Sequence, residues 1–246
     1  MGAREGATRD TLFGGRLSIL QPRRGYRFSV DAPILAHFAA QAAEPLVDLG
    51  CGTGVVSLIL AFKFGRGRIT AVELQPRLAG LARRNAVDNG LEGRIEVLQA
   101  DLADLSALPP QQAASVVCNP PYRRLGSGRL NPDDEQALAR HELRATLAQV
   151  AGAAAHLLKV RGRLYVVYPA VRLAALMATL KGCGLEPKRL RLVHSRAGEA
   201  AVLALVEALK GGGEGLRVEP PLYVYAALGE YTPEVSSYFE AGEAEA

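Results

Sequence analysis

The chain has 246 residues, 49% of them hydrophobic, which is enough to build the core of one sizeable α/β domain. No stretch approaches the ~18 consecutive apolar residues of a membrane span. The charged start MGAREGATRD carries no apolar signal core, and Gly6 breaks a myristoylation pattern, so a soluble cytoplasmic protein is expected.

Cys51, Cys118 and Cys183 are far apart and form no Cys-x-x-Cys or Cys/His spacing, so neither a disulfide framework nor a metal site is expected. The net charge of +4 is moderately basic. Its distribution is more telling, with Arg23, Arg24 and Arg27 early, Arg123, Arg124 and Arg129 in the middle, and Lys188, Arg189, Arg191 and Arg196 late. A scattered arginine is usually a solvated side chain, whereas clusters converging on one pocket form an electrostatic footprint for phosphates.

Residues 1–10 are expected to be disordered, residues 11–240 to form a single domain, and 241–246 a tail. LSILQPRRGYRFSVD, from Leu17 to Asp31, mixes turn residues with alternating apolar ones and leads into a helix from Pro33 to about Gln41, with Asp31 as N-cap. The apolar run Pro45 to Val47 then meets Asp48-Leu49-Gly50-Cys51-Gly52-Thr53-Gly54, and a second apolar run follows from Val55 to Phe62. This reads as buried strand, glycine turn and helix, where an open parallel sheet binds a nucleotide-like ligand. The spacing is G-x-G-x-G rather than the dinucleotide G-x-G-x-x-G, and a carboxylate at Asp48 would repel a pyrophosphate.

A second strand, Arg68 to Val72, ends in Glu73, about twenty residues past the turn, where an acid reaches the hydroxyls of a ribose. Pro76 to Asn89 reads as a helix closed by Asn89-Gly90, Ile95 to Leu98 as a third strand, and Asp101 follows it. The fourth strand, Ala114 to Cys118, must stop at Asn119-Pro120-Pro121-Tyr122, because proline cannot continue a ladder. A polar loop from Arg123 to Asp134 precedes a helix that runs to about Leu158, with His141 near its start as a possible base or a local hydrogen-bonding group. Arg163 to Tyr168 is strand five, Val171 to about Cys183 a helix, and Lys188 to His194 with Ala201 to Glu207 an antiparallel pair. The expected fold is α/β and Rossmann-like: a seven-stranded, mostly parallel sheet with an antiparallel C-terminal hairpin.

The Asn-Pro-Pro-Tyr run sets two acceptors beside a flat ring, an arrangement that suits an amino group conjugated with a ring or carbonyl. Two fixed acceptors, the Asn119 side-chain oxygen and the Pro120 carbonyl, would take hydrogen bonds that strengthen as positive charge develops on nitrogen. Tyr122 offers a flat face to a planar substrate, and the prolines, Pro121 included, hold the acceptors in place.

DLGCGTG resembles the first motif of class I S-adenosylmethionine-dependent methyltransferases. QPRRGYRFSVD, CNPPY, ALARHE, GGGEGLRVEPPLYVY and EYTPEV, together with that motif, resemble the bacterial tRNA1(Val) adenine N6-methyltransferase family over about Gln21 to Val235. The resemblance implies that S-adenosylmethionine is held by Ser29, Asp31, Asp48, Gly50, Cys51, Gly52, Gly54, Glu73, Leu74, Asp101 and Leu102, with residues 11–44 folding over its methionine end. It implies that Asn119, Pro120, Pro121 and Tyr122 hold the target amine and that an RNA, a tRNA anticodon loop, is the partner. Arg23, Arg24, Arg123, Arg124 and Arg129 are then candidates for contacting that RNA. A protein glutamine, guanine N2, or a non-catalytic RNA-binding module are the alternatives.

Overall fold

The computed structural model describes residues 6–25, 27–104, 108–120, 147–227 and 229–240. The chain opens with an antiparallel hairpin, β1 (Ala7–Leu12) and β2 (Leu17–Pro22), registered from Ala7 against Pro22 to Leu12 against Leu17. Residues 7–10 are therefore ordered as strand, which corrects the expectation of disorder up to residue 10. Alternate residues of β2, Leu17, Ile19 and Gln21, are buried. Helix α1 (Asp31–Phe38) begins after Val30, so Asp31 lies inside the first turn instead of capping it, and the helix stops three residues before Gln41.

The main sheet follows the expected alternation. In chain order it comprises β3 (Leu46–Leu49), α2 (Val55–Lys63), β4 (Ile69–Glu73), α3 (Pro76–Asp88), β5 (Ile95–Gln99), β6 (Ala113–Cys118), α4 (Leu147–Leu157), β7 (Leu158–Pro169), α5 (Leu173–Gly182), β8 (Leu185–His194) and β9 (Ala201–Lys210). Two-residue strands β10 (Arg217–Val218) and β11 (Leu222–Tyr223) both add to β8, and a small hairpin, β12 (Tyr225–Ala227) with β13 (Glu230–Tyr231), precedes α6 (Pro233–Ser237). The spatial order is β10-β8-β9-β7-β6-β3-β4-β5. Strands β3 to β7 run parallel and β9 runs antiparallel to both β7 and β8. The seven expected strands are thus β3 to β9, and the two short ones extend the sheet to nine.

Burial on both faces explains why β3 is apolar almost throughout, as parallel strands are. One face packs under α1, α2 and α3 through Leu35, Leu58, Ile59 and Ala82; the other packs under α4 and α5 through Val150, Leu157, Leu176 and Leu180. Strand β7 starts five residues before the expected Arg163, directly where α4 ends. Its first part is bulged, with Arg161 at φ 69°. At Gly162 a side chain would meet the Lys159 and Ala114 carbonyls at 2.9 and 3.1 Å.

Candidate active site at the carboxyl edge of the sheet

Val72, Leu49 and Cys118 lie in one cross-strand row of β4, β3 and β6. The next residue along the chain in each case is Glu73, the last of β4, Gly50 and Asn119, so all three stand side by side at the carboxyl edge of the sheet. From β3 the chain winds outward through β4 and β5, then returns to place β6 on the other flank of β3. That reversal opens the crevice in which doubly wound sheets bind ligands.

The turn itself is built of left-handed glycines: Gly50 at φ 68°, Gly52 at 59° and Gly54 at 83°. Gly50 and Cys51 both donate their N–H to the Val72 carbonyl at 2.9 Å, which pins the turn to β4. Beside Gly50 nothing stands within 4 Å of where a Cβ would project, so glycine keeps that space open for a ligand. At Gly54 the reason is different, because a Cβ would come to 3.3 Å from the Ala82 Cβ; this glycine lets α2 and α3 approach.

Two carboxylates back the turn. Glu73 is buried and accepts from the Gly52 N–H at 2.9 Å and from the Gln75 N–H at 2.8 Å, one bond to each oxygen. A carboxylate has about four acceptor sites, so roughly two remain for hydroxyl groups. Burial raises its pKa, and the backbone donors of Gln75 and Gly52 work against that rise. Asp48 is 1% exposed, and its Oδ2 accepts from the Ser57 hydroxyl in the first turns of α2 at 2.6 Å. Desolvation pushes its pKa up to about 6, against the pull of Ser57, and the nearby charge of Glu73 adds to the rise. With so little open surface, Asp48 is held against α2 through Ser57 and contributes its charge to the turn from within. Ser57 escaped the sequence reading, although a lone hydroxyl in the apolar run VVSLILAF signals a buried group that needs a partner.

The N-terminal hairpin is fastened to this turn by two asparagines of and just beyond α3. Asn85, fully buried, accepts from the Leu20 N–H at 2.7 Å and donates to the Leu20 carbonyl at 3.1 Å and the Thr53 carbonyl at 2.9 Å. One helical turn on, Asn89 does the same for Ser18, accepting at 2.8 Å and donating at 2.7 Å. The amide side chains thus replace a neighbouring strand along β2. Asp31 is buried at the start of α1, and the Ser29 carbonyl accepts from the Ala32 N–H at 3.1 Å. Asp101, half-buried two residues beyond β5, accepts from the Ala103 N–H at 2.8 Å through its own side chain, and Leu74 and Leu102 are half-buried.

Asn119 is half-buried and Pro120 buried at the end of β6. Arg23 and Arg24 are exposed and make no ion pair with a described residue, whereas Arg27 is tied to Asp10 at 2.6 Å and to Thr8. Pro121, Tyr122, Arg123, Arg124, Arg129, His141 and the 241–246 tail lie outside the described residues. Among the described residues no group of three or more His, Cys, Asp or Glu forms a metal cluster, and no helix is long and apolar enough to cross a membrane.

A parallel sheet wound both ways from β3, closed by an antiparallel strand and carrying a glycine turn backed by acids, is the class I methyltransferase architecture. The chain belongs to the methyltransferase small domain family, whose match covers residues 31–172. It is similar to a tRNA1(Val) (adenine(37)-N6)-methyltransferase of Porphyromonas gingivalis, 29% identical over 225 residues and 85% of each chain. A protein of the same name from Pedobacter heparinus is 29% identical over 84% of this chain and 86% of its own. Among solved structures, a predicted O-methyltransferase of Agrobacterium tumefaciens superposes with a TM-score of 0.66 at 24% identity, covering 86% of this chain and 97% of that one.

Proposed function

We propose that this protein is an S-adenosylmethionine-dependent methyltransferase that modifies N6 of an unpaired adenine in RNA, in a tRNA anticodon loop. The observation that carries the reading is that Glu73, Gly50 and Asn119 directly follow one cross-strand row, Val72, Leu49 and Cys118, at the carboxyl edge of three adjacent strands. It puts a hydroxyl-accepting carboxylate, an open glycine surface and an amide acceptor within one crevice. The names of the adenine-N6 methyltransferases to which the chain is similar over most of its length support the choice of acceptor.

The crevice fits the cofactor and disfavours a dinucleotide. Gly50 leaves space where a side chain would block a ligand, and the buried Asp48 and Glu73 give the turn a negative field that suits a sulfonium and an ammonium and opposes a pyrophosphate. Glu73 would hold the ribose hydroxyls, and the turn from Gly50 to Gly54 would cover the methionine part, with Ser29 and Asp31 beside it. Asp101, with Leu74 and Leu102, would border the adenine. When bound, the cofactor supplies an electrophilic methyl group.

The chain's own residues supply the acceptor geometry. Asn119 Oδ1 and the Pro120 carbonyl accept the two N–H bonds of the target amine and aim its nitrogen at the methyl group. Both bonds strengthen as the nitrogen turns cationic, which lowers the barrier without a strong base. The target base must be unpaired or flipped, because its amino group is otherwise shared in pairing. The exposure of Arg23 and Arg24, without ion-pair partners among the described residues, supports a role in meeting phosphates.

Incubation with methyl-labelled cofactor, in parallel with total RNA lacking the modification and with total protein, tests this reading. Label recovered from the RNA as N6-methyladenosine supports it, and label recovered as N2-methylguanosine would move the acceptor to guanine. Label confined to protein would make the acceptor a glutamine side chain instead.

A further inference from the structure

A second basic surface lies away from the catalytic crevice. Tyr165 of β7, Glu207 of β9, Arg189 of β8 and Arg217 of β10 form one cross-strand row on the face covered by α1. They line a cavity of about 420 Å³ together with Gln41, Arg163 and Lys188. Four cations, Arg163, Lys188, Arg189 and Arg217, meet two carboxylates here, Glu207 in the wall and Glu219 at the rim, so half of the chain's net charge of +4 is gathered at one concavity. Arg66 adds to the field, standing within electrostatic reach of Tyr165.

The wall is rigid and its donors are not used up. Glu207 accepts from Arg163 through one oxygen and from Arg189 through the other at 2.9 Å. Arg189 also donates to the Phe38 carbonyl at 2.7 Å and lies 3.9 Å over the Phe38 ring, which fixes its plane. Lys188 gives two of its three N–H bonds to the carbonyls of Gly213 and Glu214. The Arg217 side chain, 72% exposed, is paired through one nitrogen with Glu219 at 2.7 Å. Among the described residues, Arg163 and Arg217 therefore keep most of their guanidinium donors, and Lys188 keeps one.

We infer that this cavity is an accessory phosphate-binding site, which grips the sugar–phosphate backbone of the RNA substrate outside the nucleotide being methylated. The inference rests on the RNA reading above. Distance supports it: β9 and β10 stand two and four strand positions from β6, about 10 to 20 Å at ~4.8 Å per strand. A folded RNA strand at ~3.4 Å per stacked nucleotide covers that span in about three to six nucleotides. A bent loop whose target base enters at Asn119 thus brings flanking phosphates to Arg217 and Lys188. Planar guanidinium groups are suited to phosphate oxygens, which they engage through paired hydrogen bonds.

The test is binding of a tRNA transcript over a range of salt concentrations by wild type, Lys188→Gln/Arg217→Gln and Arg217→Glu, with S-adenosylhomocysteine affinity as the check on folding. Loss of two phosphate contacts should reduce the salt slope by about 1.4, at ~0.7 each, and weaken RNA binding by about tenfold at low salt. In turnover assays KM for RNA should rise while kcat and cofactor affinity hold, because neither residue touches the crevice. Arg217→Glu, made on an exposed side chain where folding is not at stake, should show the same direction alone. Unchanged affinity and slope in both variants would overturn the accessory site while leaving the RNA reading intact. A wild-type protein without salt-dependent RNA affinity would overturn both. Polyglutamate binding as tightly as RNA, with the same loss in the variants, would assign the surface to an acidic protein.

Discussion

Glu73 and Asn119 stand on the two strands that flank β3, at the same edge of the sheet, yet substitution should separate their roles. Asn119→Ala removes an acceptor that matters most in the transition state, so turnover should fall by roughly a hundredfold or more while cofactor affinity barely moves. Glu73→Gln should do the reverse, raising the cofactor dissociation constant, because an amide cannot accept from Gly52, Gln75 and two hydroxyls together. Calorimetry and single-turnover kinetics on the two variants read the split. Full activity in Asn119→Ala would reduce the motif to a structural turn. Asp48 offers a pH signature. Its folded pKa of about 6 lies above the ordinary carboxylate value of 3.8, so the folded chain holds this proton more tightly than the unfolded one. Its contribution to stability is therefore lost as pH rises from about 4 to about 6, on the order of 3 kcal/mol for a fully buried group. Asp48→Asn, whose carbonyl can still accept from Ser57, should abolish that part of the decline. Unfolding midpoints of the two proteins between pH 4 and 7 should converge at the acid end, and parallel curves would contradict the assignment.

At the scale of elements, the least expected feature is the side-chain ladder between β2 and α3. Asn85→Ala would leave the Leu20 N–H and the Leu20 and Thr53 carbonyls without their partner, at about 1–3 kcal/mol for a buried unsatisfied group. Urea denaturation should show a loss of at least about 2 kcal/mol, and amide exchange should speed up in β2 before it does in β3. Equal stability in the variant would mean that the hairpin holds itself. Nothing local announces this arrangement: Asn85 sits in RRNAVDNG, which reads as a solvated helix end, and its partners are about 65 and 32 residues away. The same cause hid β1, since ATRDTL buries only Leu12 and is ordered by pairing with β2. The β3 turn, by contrast, was legible, because its glycines and flanking apolar runs encode strand, turn and helix within eighteen residues. The two-residue strands β10 and β11 fall within Leu216 to Ala226, whose apolar residues alternate in the sequence; their place beside β8 depends on the open edge that β8 presents.

Across the whole molecule, the sheet order delivers the chemistry. Winding outward from β3 and returning with β6 puts the glycine turn and the Asn119-Pro120 turn, proposed to hold cofactor and target amine, on adjacent strands, although 69 residues separate Gly50 from Asn119 in sequence. The strand pattern in the sequence was sufficient for that topology, whereas the side chains proposed to choose the acceptor come from remote segments that no local pattern ties together. Arg23 and Arg24 on the hairpin and Arg217 at the far edge belong to separate elements, and only the fold relates them to the crevice. The most direct test is therefore the product. A tRNA transcript lacking modifications is incubated with the protein and S-adenosylmethionine, digested to nucleosides and analysed by mass spectrometry, with oligonucleotide mapping to locate the change. N6-methyladenosine at one unpaired adenine of the anticodon loop, absent with Asn119→Ala, is the result predicted here; an unmodified transcript alongside methylglutamine in a protein acceptor would contradict it.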